Sequence, residues 1–341
     1  MKIKDIAIRA GVSTATVSNV INGNYNKVSQ ETVQKVQKII EENDYKPNAT
    51  ARSLALKESR IIGVVMPNLG ENDVFSSSPY YAQILALLEN YVRRQGYYLM
   101  VRCVNECREI IPLISTWNVD GVIILGAYRS EVEGIRSKLD IPTVYIDTYA
   151  EDMGIANVGI DDYKGGFLAA RYLLSKGHRK IAFVGPNINS PGVIKERFRG
   201  FTDACREKQV EITPDCIFES ITQYENGVEA GKKIAFSDKQ FTAVATMSDI
   251  LAFGVMEGLR LSGLSIPGDV SVIGFDNLAS CRFSNPQLTT VSQNLEQKAS
   301  LAGEFLFRMI RDKEKMVVNK TVDVEIVERQ SVKEVAYGGM A

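Results

Sequence analysis

The chain has 341 residues, 45% of them hydrophobic and 24% charged, an ordinary globular composition with room for two or three domains and a sizeable core. Its 40 Lys and Arg against 41 Asp and Glu give a net charge of −1, which excludes a uniformly basic nucleic-acid coat and an acidic disordered tail. The near-zero total conceals a split. Residues 1–60 hold ten basic and six acidic side chains, so a basic head precedes an acidic body.

In chain order, the first predicted element is a helix over 3–10, where Ile3, Ile6, Ala7 and Ala10 share one face. Gly11 and Val12 make a short turn. Ser13 is a good N-cap for a second helix that turns Val17, Val20 and Ile21 inward. Ala7 is small where the two helices must cross, and the whole is a helix-turn-helix pattern. The second helix exposes Thr14, Ala15, Thr16, Ser18 and Asn19, short enough to enter a major groove. A third helix is predicted from the Ser29 cap to about Asn43, with Val33, Val36, Ile39 and Ile40 inward. The stretch 47–57 reads as a short helix flanked by charge.

From residue 61 the pattern changes to strand, helix, strand. Strands are predicted at 61–66, 97–101, 121–125, 143–146, 180–184, 243–246 and 270–274. Helices are predicted at 80–94, 163–175 and 250–262. That alternation means a parallel α/β body of two similar series. Asp147, Ser248 with Asp249, and Asp276 with Asn277 each follow a strand, where ligands of open α/β sheets bind. Asp249, Asp161 and Asp162 also precede helices and read as caps.

The apolar runs are strand-sized and too short to span a membrane. No secretory h-region follows Met1-Lys2-Ile3-Lys4, and the five cysteines (Cys103, Cys107, Cys205, Cys216 and Cys281) form no C-x-x-C pair. A cytoplasmic location without disulfides or metal is expected. The single histidine, His178, follows Gly177 at a helix stop and reads as structural. With no second histidine and no nucleotide-binding glycine motif, an enzyme is not expected, and no catalytic residue is assigned.

The run Val12-Ser13-Thr14-Ala15-Thr16-Val17-Ser18 and the stretch Ala51-Arg52-Ser53-Leu54 resemble the lactose-repressor (LacI/GalR-type) family. So do Gly177-His178-Arg179-Lys180-Ile181, Arg197-Phe198-Arg199-Gly200-Phe201, the run 266–276 and Leu288-Thr289-Thr290-Val291. The resemblance covers nearly the whole chain. It implies an all-α helix-turn-helix head (1–46) and a hinge helix (47–59). After them comes an α/β body (60–335) of two parallel-sheet lobes, as in periplasmic sugar-binding proteins. Lobe one would take about 61–160 and 292–322, lobe two about 161–289 and 323–335, with a tail at 336–341.

The resemblance further implies a repressor that binds a pseudo-palindromic double-stranded DNA operator as a homodimer. A small effector, expected to be a carbohydrate, would sit between the lobes and control it; no other cofactor is expected. Thr14, Ala15 and Asn19 match base-reading positions, and Asn19 is suited to an adenine edge. Ser13, Ser18, Asn22 and the lysines of the head fall among phosphate contacts, and Thr16 is a further DNA-binding candidate on the same helix. In the hinge, Arg52 accompanies Leu54, which matches a leucine that wedges into the minor groove. Tyr80, Tyr81, Asp147, Arg197, Ser248 and Asp276 match effector-cleft positions. Arg197 has a surface ion pair as its competing reading. Ser190, in the long stretch 187–195, and Tyr224, next to Thr222 where several relatives carry a stacking aromatic, complete the candidate set. A solute-binding transport protein, or a sugar-processing enzyme with a carboxylate pair, stays open as an alternative.

Overall fold

The computed structural model describes residues 1–21, 23–45, 58–67, 78–105 and 109–335. Asn22, Arg52 and Leu54 lie outside the described residues, as do most of the expected hinge and the tail.

The head is a unit of its own, Met1–Arg60. Its helices are α1 (Ile3–Ala10), α2 (Thr14–Ile21) and α3 (Gln30–Glu42). Gly11 ends α1 in the left-handed conformation, φ +66°, and turns the chain into α2. Ile6, Ala7, Ala10, Val17, Val20, Val33 and Val36 form the core, with Ile3, Ile21, Ile39 and Ile40 packed against it. Arg9 donates to the Asn43 side chain at 2.8 Å and so ties the end of α1 to the end of α3.

The body, Ile61–Ala341, is the second unit. It opens with β1 (Ile61–Pro67), α4 (Pro79–Arg94), β2 (Tyr98–Val104), α5 (Ile110–Trp117), β3 (Gly121–Leu125), α6 (Arg129–Arg136), β4 (Thr143–Ile146) and β5 (Ala156–Ile160). Next come α7 (Asp162–Ser175), β6 (Ile181–Gly185), α8 (Val193–Glu207), β7 (Ile217–Glu219), α9 (Tyr224–Ala235), β8 (Ala243–Thr246), α10 (Asp249–Leu261), β9 (Ser271–Asp276) and β10 (Thr289–Ser292). Then α11 (Leu295–Asp312), β11 (Val318–Val322) and β12 (Glu325–Val327) close the series.

These strands form two six-stranded sheets, ordered β11-β5-β4-β3-β1-β2 and β12-β10-β9-β8-β6-β7. Every pairing is parallel except β10 with β12. The register sets Ile62 opposite Gly121, Val122 opposite Thr143, and Val144 opposite Ala156. All of β3 is buried, because helices cover both faces of its sheet. Ile123 and Leu125 enter one core, whereas Val122 and Ile124 enter the other. The chain passes from one sheet to the other after β5, after β10 and after β11.

Glycines bring paired helices into backbone contact in the second lobe. A Cβ on Gly254 or Gly258 of α10 would run into the carbonyl oxygens of Tyr224 and Val228 on α9. A Cβ on Gly166 of α7 would strike the Arg197 carbonyl on α8. The seam between α7 and α8 sets Arg197 beside the first turn of α7.

Candidate functional site

On the head, Thr14 and Ala15 are exposed, and Ser18 and Asn19 are half-buried on the same side of α2. The Ser13 hydroxyl accepts from the Thr16 backbone at 3.1 Å and pairs with the Thr16 hydroxyl at 2.9 Å. Ser13 is therefore the cap of α2 with Thr16 as its partner. The expected N-cap role of Ser13 is thus met by its hydroxyl.

In the body, Asp147, Ser248 and Asp276 stand at the carboxyl ends of β4, β8 and β9. Asp147 has φ +55° and Asp276 φ +128°. A left-handed backbone at non-glycine residues costs on the order of 1–3 kcal/mol and persists where the surroundings demand it. A chain of hydrogen bonds joins the two residues across the lobes. The Tyr80 hydroxyl donates to Asp147 Oδ2 at 2.5 Å, and Lys298 Nζ reaches Asp147 Oδ1 at 2.8 Å. The same ammonium donates to Gln293 Oε1 at 2.7 Å, and Gln293 Nε2 donates to Asp276 Oδ1 at 2.5 Å. Tyr81 packs edge-on against Tyr80, with ring centroids 5.4 Å apart.

Arg197 anchors the neighbouring part of the second lobe and is 7% exposed, so the surface ion-pair reading is corrected. Its Nε donates to Asp162 Oδ1 at 2.7 Å and its Nη1 to the Met247 carbonyl at 2.9 Å. The guanidinium lies 3.7 Å from the centre of the Phe275 ring. The other oxygen of Asp162 accepts from the Tyr149 hydroxyl of the first lobe at 2.7 Å. Asp162 is thus no cap: Asp161 caps α7 by accepting from the Lys164 backbone at 2.8 Å. Asp249 is corrected likewise. Ser248 caps α10 through the Leu251 backbone at 3.4 Å, which turns its hydroxyl to its own helix. The Asp249 carboxylate is buried and accepts from the Leu278 backbone (2.8 Å), the Cys281 thiol (3.0 Å) and the Thr290 hydroxyl (2.6 Å).

Asp147, Asp162 and Asp276 thus surround two cations, Arg197 and Lys298, and Asp249 lies beside Asp276 with Arg329 as its nearby cation. Burial pushes the Asp276 carboxyl well above the ordinary carboxylate range. The charge of Asp249 adds to that push, against the pull of Arg197 and Gln293. Burial likewise raises Asp249 against its three donors. It raises Asp162 too, where Arg197 opposes the shift and Asp147 adds to it. For Arg197 burial acts downward, yet Asp162, Asp276 and Asp147 together outweigh it and raise the guanidinium. Burial and then Asp147 raise the Tyr80 phenol.

Two candidates stand apart from this network. Ser190 lies in the turn before α8, its backbone donating to the Asn187 carbonyl. Tyr224 opens α9, is 38% exposed, and has its phenol raised by burial and by the charge of Glu257. Lys298, Gln293, Asp162 and Tyr149 are the members that sequence reasoning missed. A signal existed for Lys298, which interrupts the apolar stripe of Leu295, Ala299 and Ala302 on α11. A recess of about 500 Å3 beside β7 and α9, lined by Asn187, Phe218, Glu219, Asn226 and Lys233 among others, shares no residue with the network.

The arrangement places an acceptor (Asp276), donors (Arg197, Gln293) and the Tyr80–Tyr81 ring pair together, with Asp147 engaged by Lys298 and Tyr80. Convergent acceptors and donors of this kind at strand ends are the chemistry that recognises a small polar ligand. His178 takes no part: its ring nitrogens meet the Thr242 hydroxyl at 3.0 Å and the Lys333 carbonyl at 3.1 Å. Among the described residues no group of three or more His, Cys, Asp or Glu is placed to hold a metal ion, and no helix is long and apolar enough to cross a membrane.

Two family models match the chain. That of the bacterial regulatory proteins of the lacI family covers residues 2–48, and that of the periplasmic binding protein-like domain covers residues 170–332. The HTH-type transcriptional repressor PurR of Pasteurella multocida (strain Pm70) is 32% identical over 97% of this chain and 98% of its own. PurR of Vibrio parahaemolyticus is 33% identical over the same shares. Among solved structures, the Lac repressor dimer bound to operator and an anti-inducer has a TM-score of 0.83 at 23% identity, covering 98% of this chain and 99% of that one. A LacI family transcriptional regulator from Enterococcus faecium with bound ribose has a TM-score of 0.70 at 27% identity, covering 81% of this chain and all of that one. The head, the two-sheet body and the near full-length relatives agree: this chain belongs to the LacI family of bacterial regulatory proteins.

Proposed function

We propose that this protein is a cytoplasmic transcriptional repressor whose affinity for operator DNA is set by a neutral carbohydrate held between the two lobes. The head reads a pseudo-palindromic site as one half of a homodimer, since a two-fold protein matches a two-fold site. Thr14, Ala15 and Asn19 meet base edges, and Ser18 and the lysines of the head meet phosphates. Arg52 and Leu54 act at the minor groove. The observation that carries the effector reading is the buried network of Tyr80, Asp147, Gln293, Asp276 and Arg197 at the strand ends. Its paired acceptors and donors match the hydroxyls of a sugar ring, and the Enterococcus faecium relative is described with ribose bound. The near full-length likeness to repressors favours this reading over a transport protein or a hydrolase.

The test is a thermal-shift screen of the full chain against sugars, phosphosugars, nucleosides and purines, followed by operator titrations with any stabilising compound. A neutral sugar is expected to raise the midpoint and to change operator affinity roughly 5- to 150-fold. Stabilisation by purines or nucleosides with silence from every sugar overturns the carbohydrate assignment.

A further inference from the structure

Lys298 sits near the start of α11, and its side chain is 0% exposed. A buried ammonium is tolerable only where it is paired and every proton is used. Here Nζ lies 2.8 and 3.0 Å from the two oxygens of Asp147 and 2.7 Å from Gln293 Oε1, with the Tyr80 hydroxyl at 3.4 Å. These partners account for its three donors. Asp147 is engaged on both oxygens in turn, since Lys298 spans them and Tyr80 donates to one of them. Gln293 is orientated by the same contact. With Oε1 on the lysine, its Nε2 is left to face Asp276. The residues flanking Lys298 on α11, Leu295, Ala299 and Ala302, are buried and apolar, so helix packing by itself calls for a leucine or methionine at this place.

We infer that Lys298 determines the charge class of the effector: its ammonium fills, from within the protein, the cation subsite that Asp147 would otherwise offer to the cleft, so the cleft takes a ligand without an amine. This rests on the reading of the interlobe network as the effector site. The ligand meets an acceptor at Asp276 and donors at Arg197 and Gln293, while the carboxylate of the first lobe is already neutralised. With a neutral residue at 298, Asp147 would demand a cation from outside.

The experiment is amine rescue in the full-length chain. Lys298→Ala leaves a void beside Asp147. Its thermal midpoint is expected to rise by about 2 °C or more in n-butylammonium chloride relative to equimolar sodium chloride, with no rise in 1-butanol and none for the wild type. An indifferent K298A, an equal response to 1-butanol, or an equal response of the wild type overturns the inference. If K298A does not accumulate as folded protein, Lys298→Met keeps the volume of the stem and is tested with ammonium against sodium chloride, with the same criteria. Stabilisation of the wild type by D-glucosamine or D-galactosamine also overturns it. The alkylammonium readout needs no effector, so its failure is distinct from failure of the carbohydrate reading, which the sugar screen decides.

Discussion

Replacing Arg197 by methionine removes the guanidinium while keeping the volume of its stem. Asp162, 2% exposed, is then left with the Tyr149 hydroxyl as its remaining polar side-chain contact. Breaking a buried ion pair from one side costs about 3–5 kcal/mol. The lost bond to the Met247 carbonyl adds about 1 kcal/mol, and the lost contact with the Phe275 ring about 0.5–2 kcal/mol, so at least about 4 kcal/mol is expected for R197M. The pH dependence has a definite sign. The Asp162 carboxyl already sits above its ordinary value in the folded chain, and losing Arg197 raises it further. A folded carboxyl that holds its proton more tightly than the unfolded one loses stability as pH rises through that window. The deficit of R197M therefore grows from pH 5 to pH 8. Urea unfolding of wild type, R197M, Asp162→Asn and the double variant at both pH values measures it as a double-mutant cycle. A deficit below about 1 kcal/mol for R197M, or additive single variants, would refute the pairing argument.

Asp276→Asn keeps an oxygen for Gln293 but removes a carboxyl whose proton affinity burial and Asp249 have raised. The variant should gain about 1 kcal/mol or more over wild type at pH 8 and little at pH 5; thermal midpoints at the two pH values check this, and equal gains at both reject it. Gly258→Ala adds a methyl that meets the Val228 carbonyl. It should destabilise by about 1–3 kcal/mol despite the better helix propensity of alanine, and an unchanged midpoint would contradict the seam. In the head, Asn19→Ala should change base preference in an operator substitution scan, whereas Lys4→Ala should lower the salt slope and leave preference alone. An unaltered preference for N19A assigns base reading to other side chains.

The periodicity of the sequence determined the local elements and the fold class. The apolar spacing of Ile6, Ala7, Ala10, Val17 and Val20 specifies the helix pair of the head, since both helices bury faces that are contiguous in sequence. The runs at 121–125, 143–146 and 243–246 coincide with β3, β4 and β8, because strands buried on both faces are written as continuous apolar stretches. Polar residues after strands were legible as site candidates for the same local reason. What each of them faces was not. Asp162 and Asp249 look like caps from their neighbours in sequence. They are a partner of Arg197, 35 residues on, and a hub for Leu278, Cys281 and Thr290. Lys298 meets Asp147 across 151 residues. Only the tertiary structure decides such pairs. A helix face or strand face is a property of a short window, whereas the partner of a buried charge is whichever group the crossings of the chain bring within about 3 Å of it.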